Sequence, residues 1–127
     1  MYRATTRHIT VTVTPAFLPE PSDPEEGRWV FSYRVEIENG SRETVQLRAR
    51  HWVITDGRGA RHSVEGEGVV GEQPVIEPGA SFDYVSGCPL ATPSGAMQGT
   101  YRMVRENGAI FDVEIPRFAL LAPAVLH

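Results

Sequence analysis

The sequence predicts an all-β protein: one domain, residues 1–127, folded as an immunoglobulin-like or fibronectin type III-like antiparallel β-sandwich of about seven strands. Three observations carry this. Apolar and polar residues alternate with a period of two from one end of the chain to the other, the helical period is nearly absent, and clusters of Gly, Pro, Asn and Asp bound the runs at short spacing. With 127 residues, 41% hydrophobic and 22% charged, the chain has the size and apolar content for one core. Its single cysteine excludes an intrachain disulfide framework and an all-cysteine metal site. The Cys-Trp-Cys pattern of antibody-type domains is therefore absent as well.

The first predicted strand, His8 to Thr14, sets Ile9, Val11 and Val13 against Thr10, Thr12 and Thr14, whose β-branched side chains suit a pleated outer face. Residues 15–27 carry Pro15, Pro19, Pro21 and Pro24 among Glu20, Asp23, Glu25 and Glu26, which predicts a long, solvated, acidic loop. Arg28 to Glu38 is the clearest core strand, with Trp29, Phe31, Tyr33, Val35 and Ile37 on one face. Asn39-Gly40-Ser41 tolerates positive φ and predicts a turn that pairs this strand with the next, Glu43 to Thr55. In that strand alternation puts Val45, Leu47, Ala49, His51 and Val53 on the apolar side and Arg48, Arg50 and Trp52 together on the other.

Asp56-Gly57-Arg58-Gly59 turns the chain into a short segment, Ala60 to Val64, followed by a glycine-rich stretch from Gly66 to Gly71. Ala80 to Ser86 reads as another short strand, and Gly87 to Gly95, with Cys88, Pro89 and Pro93, as a loop. Met97 to Arg105 and Ala109 to Ile115 flank Glu106-Asn107-Gly108, a strong hairpin signal. The apolar tail from Ala119 to His127 either covers a sheet edge of its own chain or meets a second copy in a homodimer, because leaving Leu120, Leu121, Val125 and Leu126 in water is costly.

Composition removes whole classes of function. All 12 basic residues other than histidine are arginine, so phosphate-loop lysines, Schiff-base lysines and Ser-Lys dyads are excluded. A net charge of −4 argues against binding duplex nucleic acid. The first fifteen residues show no apolar run of the signal-peptide kind, and the longest apolar tract, Phe118 to Leu126, is too short to span a bilayer, so no membrane insertion and a cytoplasmic location are expected.

Gly66, Gly68 and Gly71 satisfy the GxGxxG spacing of dinucleotide-binding proteins, but that chemistry needs a helix after the third glycine, and Pro74 and Pro78-Gly79 leave no room for one. The glycines then serve a bent connection, or a backbone cradle for a small anion. Arg42, Arg48, Arg50, Arg58 and Arg61 crowd twenty residues, and guanidinium groups beside the Trp52 indole can bind carboxylate or phosphate or simply pair with strand glutamates such as Glu36 and Glu38. His8, His51, His62, His127 and Cys88 show none of the spacings of zinc sites, so no metal or other cofactor is expected. There is no GxSxG elbow, and nothing beside Cys88 marks an activated thiol.

The stretch Gly66 to Pro74, then Pro78-Gly79, Tyr84-Val85-Ser86-Gly87, Thr92-Pro93 and Met97 to Tyr101, resembles the bacterial ApaG family. Ala49 to Asp56, Glu106-Asn107-Gly108 and Phe111 to Phe118 extend the resemblance over nearly the whole chain, while the Pro-rich acidic segment 15–27 departs from it. The resemblance implies a fibronectin type III-like sandwich, an association with cobalt resistance and magnesium efflux, and no agreed catalytic residues. Similar domains in eukaryotic F-box proteins and in a DNA-polymerase-interacting protein imply a module that binds a protein partner.

The combined expectation is a non-enzymatic protein-interaction domain, with Arg48, Arg50, Trp52, Gly66, Gly68 and Gly71 as its candidate binding residues. The alternative is binding or hydrolysis of a small anion, pyrophosphate or a nucleotide, at Gly66 to Gly71 with Arg48, Arg50 or Arg61. A third reading, direct Co²⁺ or Mg²⁺ binding, would use Glu20, Asp23, Glu25 and Glu26.

Overall fold

A computed structural model describes residues 1–123. Its strands are β1 (Tyr2–Thr6), β2 (Ile9–Phe17), β3 (Trp29–Asn39), β4 (Val45–Asp56), β5 (Arg61–Glu67), β6 (Val75–Ile76), β7 (Ser81–Leu90), β8 (Ser94–Arg105) and β9 (Ile110–Leu121). One sheet has the order β1-β2-β3-β7 and the other β5-β4-β8-β9, with β6 on the flank of β4. All pairings are antiparallel. The sandwich is as expected, and its core joins Ile9, Val11, Val13, Phe31, Val35 and Ile37 of the first sheet to Leu47, Tyr101, Met103, Val113, Phe118 and Leu120 of the second.

Nine strands stand where about seven were expected. The extra N-terminal strand β1 pairs with β2 from Thr6↔Ile9 to Tyr2↔Val13 through a two-residue turn in which Arg7 and His8 both take positive φ, 48° and 69°. That is the geometry Asn-Gly adopts easily and side chains with a full Cβ resist. Replacing Arg7-His8 by Asn-Gly is expected to stabilise the chain by about 1 kcal/mol, seen as a higher urea midpoint. A lower midpoint contradicts it.

Three expectations are corrected, and one that stood open between two alternatives is narrowed. The strands around Asn39-Gly40-Ser41 do not pair with each other: β3 lies between β2 and β7, and β4 between β8 and the pair β5 and β6. The segment crosses between sheets because Asn39, fully buried, ties three pieces of chain together. Its Nδ2 donates to the carbonyls of Glu43 (2.8 Å) and Ile76 (2.9 Å), and its Oδ1 accepts from the Ser41 N–H (2.9 Å). The acidic loop is shorter than residues 15–27, because β2 continues to Phe17. Pro15 fits there, opposite Tyr33, since β1 reaches back only to Val13 and leaves that part of β2 an edge where no N–H is needed. The loop's Glu20, Asp23, Glu25 and Glu26 are exposed, as expected, around a single 3-10 turn at Pro24–Glu26.

The predicted loop from Gly87 is the end of β7, where Cys88 and Leu90 point into the core opposite Phe31 and Trp29. Finally, the tail is part of β9 as far as Leu121: Phe118 and Leu120 are buried, and the Ala122 N–H bonds the Pro93 carbonyl at 2.8 Å. It covers its own chain. Val125, Leu126 and His127 lie outside the described residues.

Candidate functional site

The site begins with one extra residue. The β4–β8 register slips between Leu47 and Ala49, a β-bulge at Arg48 that reverses the faces of everything beyond it. Val45 and Leu47 face the core, but after the bulge it is Arg50 and Trp52 that turn inward while Ala49, His51 and Val53 turn out. Trp52, expected on a solvated face, is 3% exposed. His51, expected on the apolar face, has a side chain 41% exposed, 3.7 Å from the Glu65 carboxylate. The expected sharing of one face by Arg48, Arg50 and Trp52 is therefore corrected. The side chain of Arg48 lies over the flank near Gln46, Val75 and Glu106, away from the other two.

What Arg48 gives the glycine segment is its carbonyl, which accepts from the Gly68 N–H at 2.8 Å and from Gln73 Nε2 at 2.9 Å. Arg50 engages the same segment with its side chain: Nη1 donates to the carbonyls of Glu67 and Gly68, both at 2.9 Å. Each glycine of the GxGxxG spacing then has a local reason. A Cβ on Gly66 would stand 2.9 Å from the Arg50 guanidinium, and one on Gly68 would stand 2.2 Å from the Glu72 carbonyl oxygen, with φ already at +65°. Gly71 (φ +81°) and Val70 (φ +44°) form a tight turn closed by mutual bonds between Val69 and Glu72. From that turn the chain passes directly to the strand β6, and among the described residues no helix follows Gly71.

These residues meet at the open side of the sandwich. The strands β5 and β7 each end a sheet, and between them runs a cleft in two adjoining parts that share Tyr33, Arg50, Trp52 and Ser86. The part beside the glycine segment, about 420 Å³, adds Tyr84, Val69 and Val70. The other, about 520 Å³, is more apolar and adds Ile54, Val64, Leu90 and Met97. Of the predicted residues, the structure thus brings together Arg50, Trp52 and the glycines, and leaves Arg48 outside.

Three tyrosine hydroxyls, which alternation alone could not distinguish from core aromatics, gather beneath Arg50. The hydroxyls of Tyr84 and Tyr101 hydrogen-bond each other, and Tyr33 stands opposite Ser86 in the β3–β7 register. Burial raises all three tyrosine pKa values, Tyr101 most plainly, with Arg50 opposing the rise weakly. Burial also pushes the Cys88 thiol up to about 11, so it stays protonated at neutral pH.

Because the folded chain holds these phenols protonated while the unfolded chain releases them near pH 10, their contribution is intact below pH 10 and lost above it. The urea midpoint is expected to stay level from about pH 8 to 9 and to fall by pH 11. A midpoint unchanged at pH 11 contradicts the buried cluster.

Among the described residues no hydrogen bond joins Ser86 or Cys88 to His62, although all three line the cleft. Asp56, also on its wall, spends Oδ1 on the N–H groups of Arg58 and Ala60. Nor, among those residues, are three of His, Cys, Asp and Glu grouped to hold a metal ion.

Fold and cleft together define a class: a two-sheet β-sandwich domain whose site is an opening between terminal strands, lined by buried aromatics and one arginine. Within that class, residues 19–105 match the ApaG domain, and the chain belongs to the ApaG family. It is 59% identical over 123 residues to Protein ApaG of a Bradyrhizobium species, covering 97% of this chain and 95% of that one. To Protein ApaG of a Methylobacterium species it is 58% identical over 125 residues, covering 98% and 96%. Among solved structures, an ApaA protein from Bordetella pertussis superposes with a TM-score of 0.89 at 50% identity, covering 92% of this chain and 95% of that one. A protein from Archaeoglobus fulgidus shares the fold alone, with a TM-score of 0.52 at 6% identity over 90% of this chain and 98% of that one.

Proposed function

We propose that this chain is a non-enzymatic binding domain that takes a protein partner in the cleft between β5 and β7. The observation that carries the reading is the cleft's composition: an apolar wall of Ile54, Val64, Leu90 and Met97 continuing into a single guanidinium, that of Arg50. Apolar anchors beside one well-placed donor are what a selective binding surface needs. Protonated phenols and a protonated thiol, none hydrogen-bonded to a histidine or carboxylate among the described residues, suit recognition better than group transfer.

A small-anion site at the glycine segment has less support. The N–H groups of Gly68, Val69 and Glu72 are already spent on carbonyls, and Arg48 and Arg50 do not converge. We read the family's association with cobalt resistance and magnesium efflux as a consequence of partner binding. A cytoplasmic setting fits this role; no helix among the described residues is long and apolar enough to cross a membrane.

The test is capture of partners from lysate by the intact chain, by Val64→Asp and by Val75→Asp. Val64 is 41% exposed on the cleft wall and Val75 lies far from it on β6, so both variants should fold. Captured proteins are expected to be lost with Val64→Asp and kept with Val75→Asp. The same proteins recovered with Val64→Asp overturn the reading.

A further inference from the structure

We infer, resting on the reading of the cleft as a partner site, that the partner enters as an extended segment which adds to β7 as a fifth strand, sets a carboxylate on Arg50 and lays aliphatic side chains on the apolar wall. Three features of the molecule lead there.

The first is where the sandwich is open. On the opposite side β1 and β9 close it: Tyr2 packs on Phe118 with ring centroids 6.1 Å apart, and the Glu114 N–H bonds Thr6 Oγ1 at 3.1 Å. Among the described residues β5 pairs only with β4, and β7 only with β3. Each strand therefore has one row of backbone N–H and C=O groups that no neighbouring strand takes up, the template that an added strand uses, although on β5 the Glu67 carbonyl already accepts from Arg50.

The second is that the two edges are guarded unequally. Along β5 stand Arg61, His62, Glu65 and Glu67, and charge on an edge discourages pairing. Along β7, from Ser81 to Cys88, Asp83 is the one charged residue, and its partner is Arg34 of β3 at 2.9 Å. Pro89 ends the usable edge, since it has no N–H to offer. The added strand thus belongs on β7 before Pro89.

The third is the charge of the cleft. Arg50 spends Nη1 on two carbonyls, and among the described residues Nε and Nη2 have no hydrogen-bond partner and no carboxylate stands within salt-bridge distance. The groups around it from β3, β7 and β8 are the neutral phenols of Tyr33, Tyr84 and Tyr101. Glu65 sits opposite His51 on the outer face, and Glu67, opposite Ala49, borders the cleft and meets Arg50 through its backbone carbonyl, with no ion pair between the two side chains. A half-buried guanidinium with forked donors to spare is complementary to a carboxylate. In an extended segment side chains two residues apart share a face, so an Asp or Glu on Arg50 places the residue at i±2 over the wall of Trp52 and Val64.

Panning a random decapeptide display library on the intact chain tests this. Selected peptides are expected to carry one Asp or Glu with Val, Ile or Leu two residues away. In synthetic copies, changing that acid to its amide should weaken binding about tenfold or more. Methylating backbone nitrogens one at a time should weaken it at every second position only, the signature of a strand ladder. Peptides that lose affinity with Val64→Asp but show no alternation on methylation overturn strand addition and leave the partner site standing. Failure to select any peptide, while lysate capture still depends on Val64, does the same. Peptide binding and lysate capture both indifferent to Val64→Asp overturn the site itself.

Discussion

Trp52→Ala is expected to destabilise the chain by about 4 kcal/mol, a fall of about 2 M in the urea midpoint. The indole is 3% exposed and touches both sheets, with ring centroids 5.3 Å from Tyr33, 6.3 Å from Tyr101 and 5.9 Å from Phe118. Removing it opens a void that no neighbour can fill without leaving its own rotamer. The companion variant, His51→Ala, is expected to change stability by no more than about 0.5 kcal/mol, because its imidazole is on the outer face beside one exposed carboxylate. Uninterrupted alternation along β4 would reverse these two results, so the pair also tests the bulge at Arg48. It is also why Trp52→Ala is a poor probe of binding: it removes the core along with the site.

Gly99→Ala is expected to cost about 3 kcal/mol or more. Gly99 lies opposite Trp52 where β8 crosses β4, and a Cβ there would stand 2.0 Å from the His51 carbonyl oxygen. That oxygen is backbone in a central strand, so relief requires β4 and β8 to move apart and carry Trp52 with them. Gly87→Ala, where the nearest atom is an ordinary 3.5 Å away, is the control, and it should fall within about 1 kcal/mol of the parent. Equal midpoints for the two variants would mean that β4 and β8 approach less closely than described.

How far the sequence reached is best seen in particular residues. The strand Trp29–Asn39 was legible because its apolar alternation is unbroken, and the sandwich followed from repeating that pattern. The hairpin of β1 and β2 was not, since Arg7 and His8 carry none of the chemistry that normally marks positive φ. Asn39-Gly40 did carry it, but burial of the Asn39 amide against Glu43 and Ile76 turned a hairpin signal into a crossing between sheets. Arg50, Trp52 and the three glycines were legible as residues worth singling out. Their arrangement was not, because a bulge leaves no mark in composition and one unpaired residue moves Arg50 from the surface into the cleft. The tyrosine hydroxyls that meet beneath it come from three strands, and nothing local announces that they converge.

The most direct test is an amide and indole shift map of the intact chain titrated with a selected decapeptide. The Trp52 indole N–H and the amides from Gly66 to Gly71 and Ser81 to Cys88 should shift together. Shifts confined to the outer faces, at Thr10 and Thr12 or at Arg102 and Asp112, would contradict a binding site between β5 and β7.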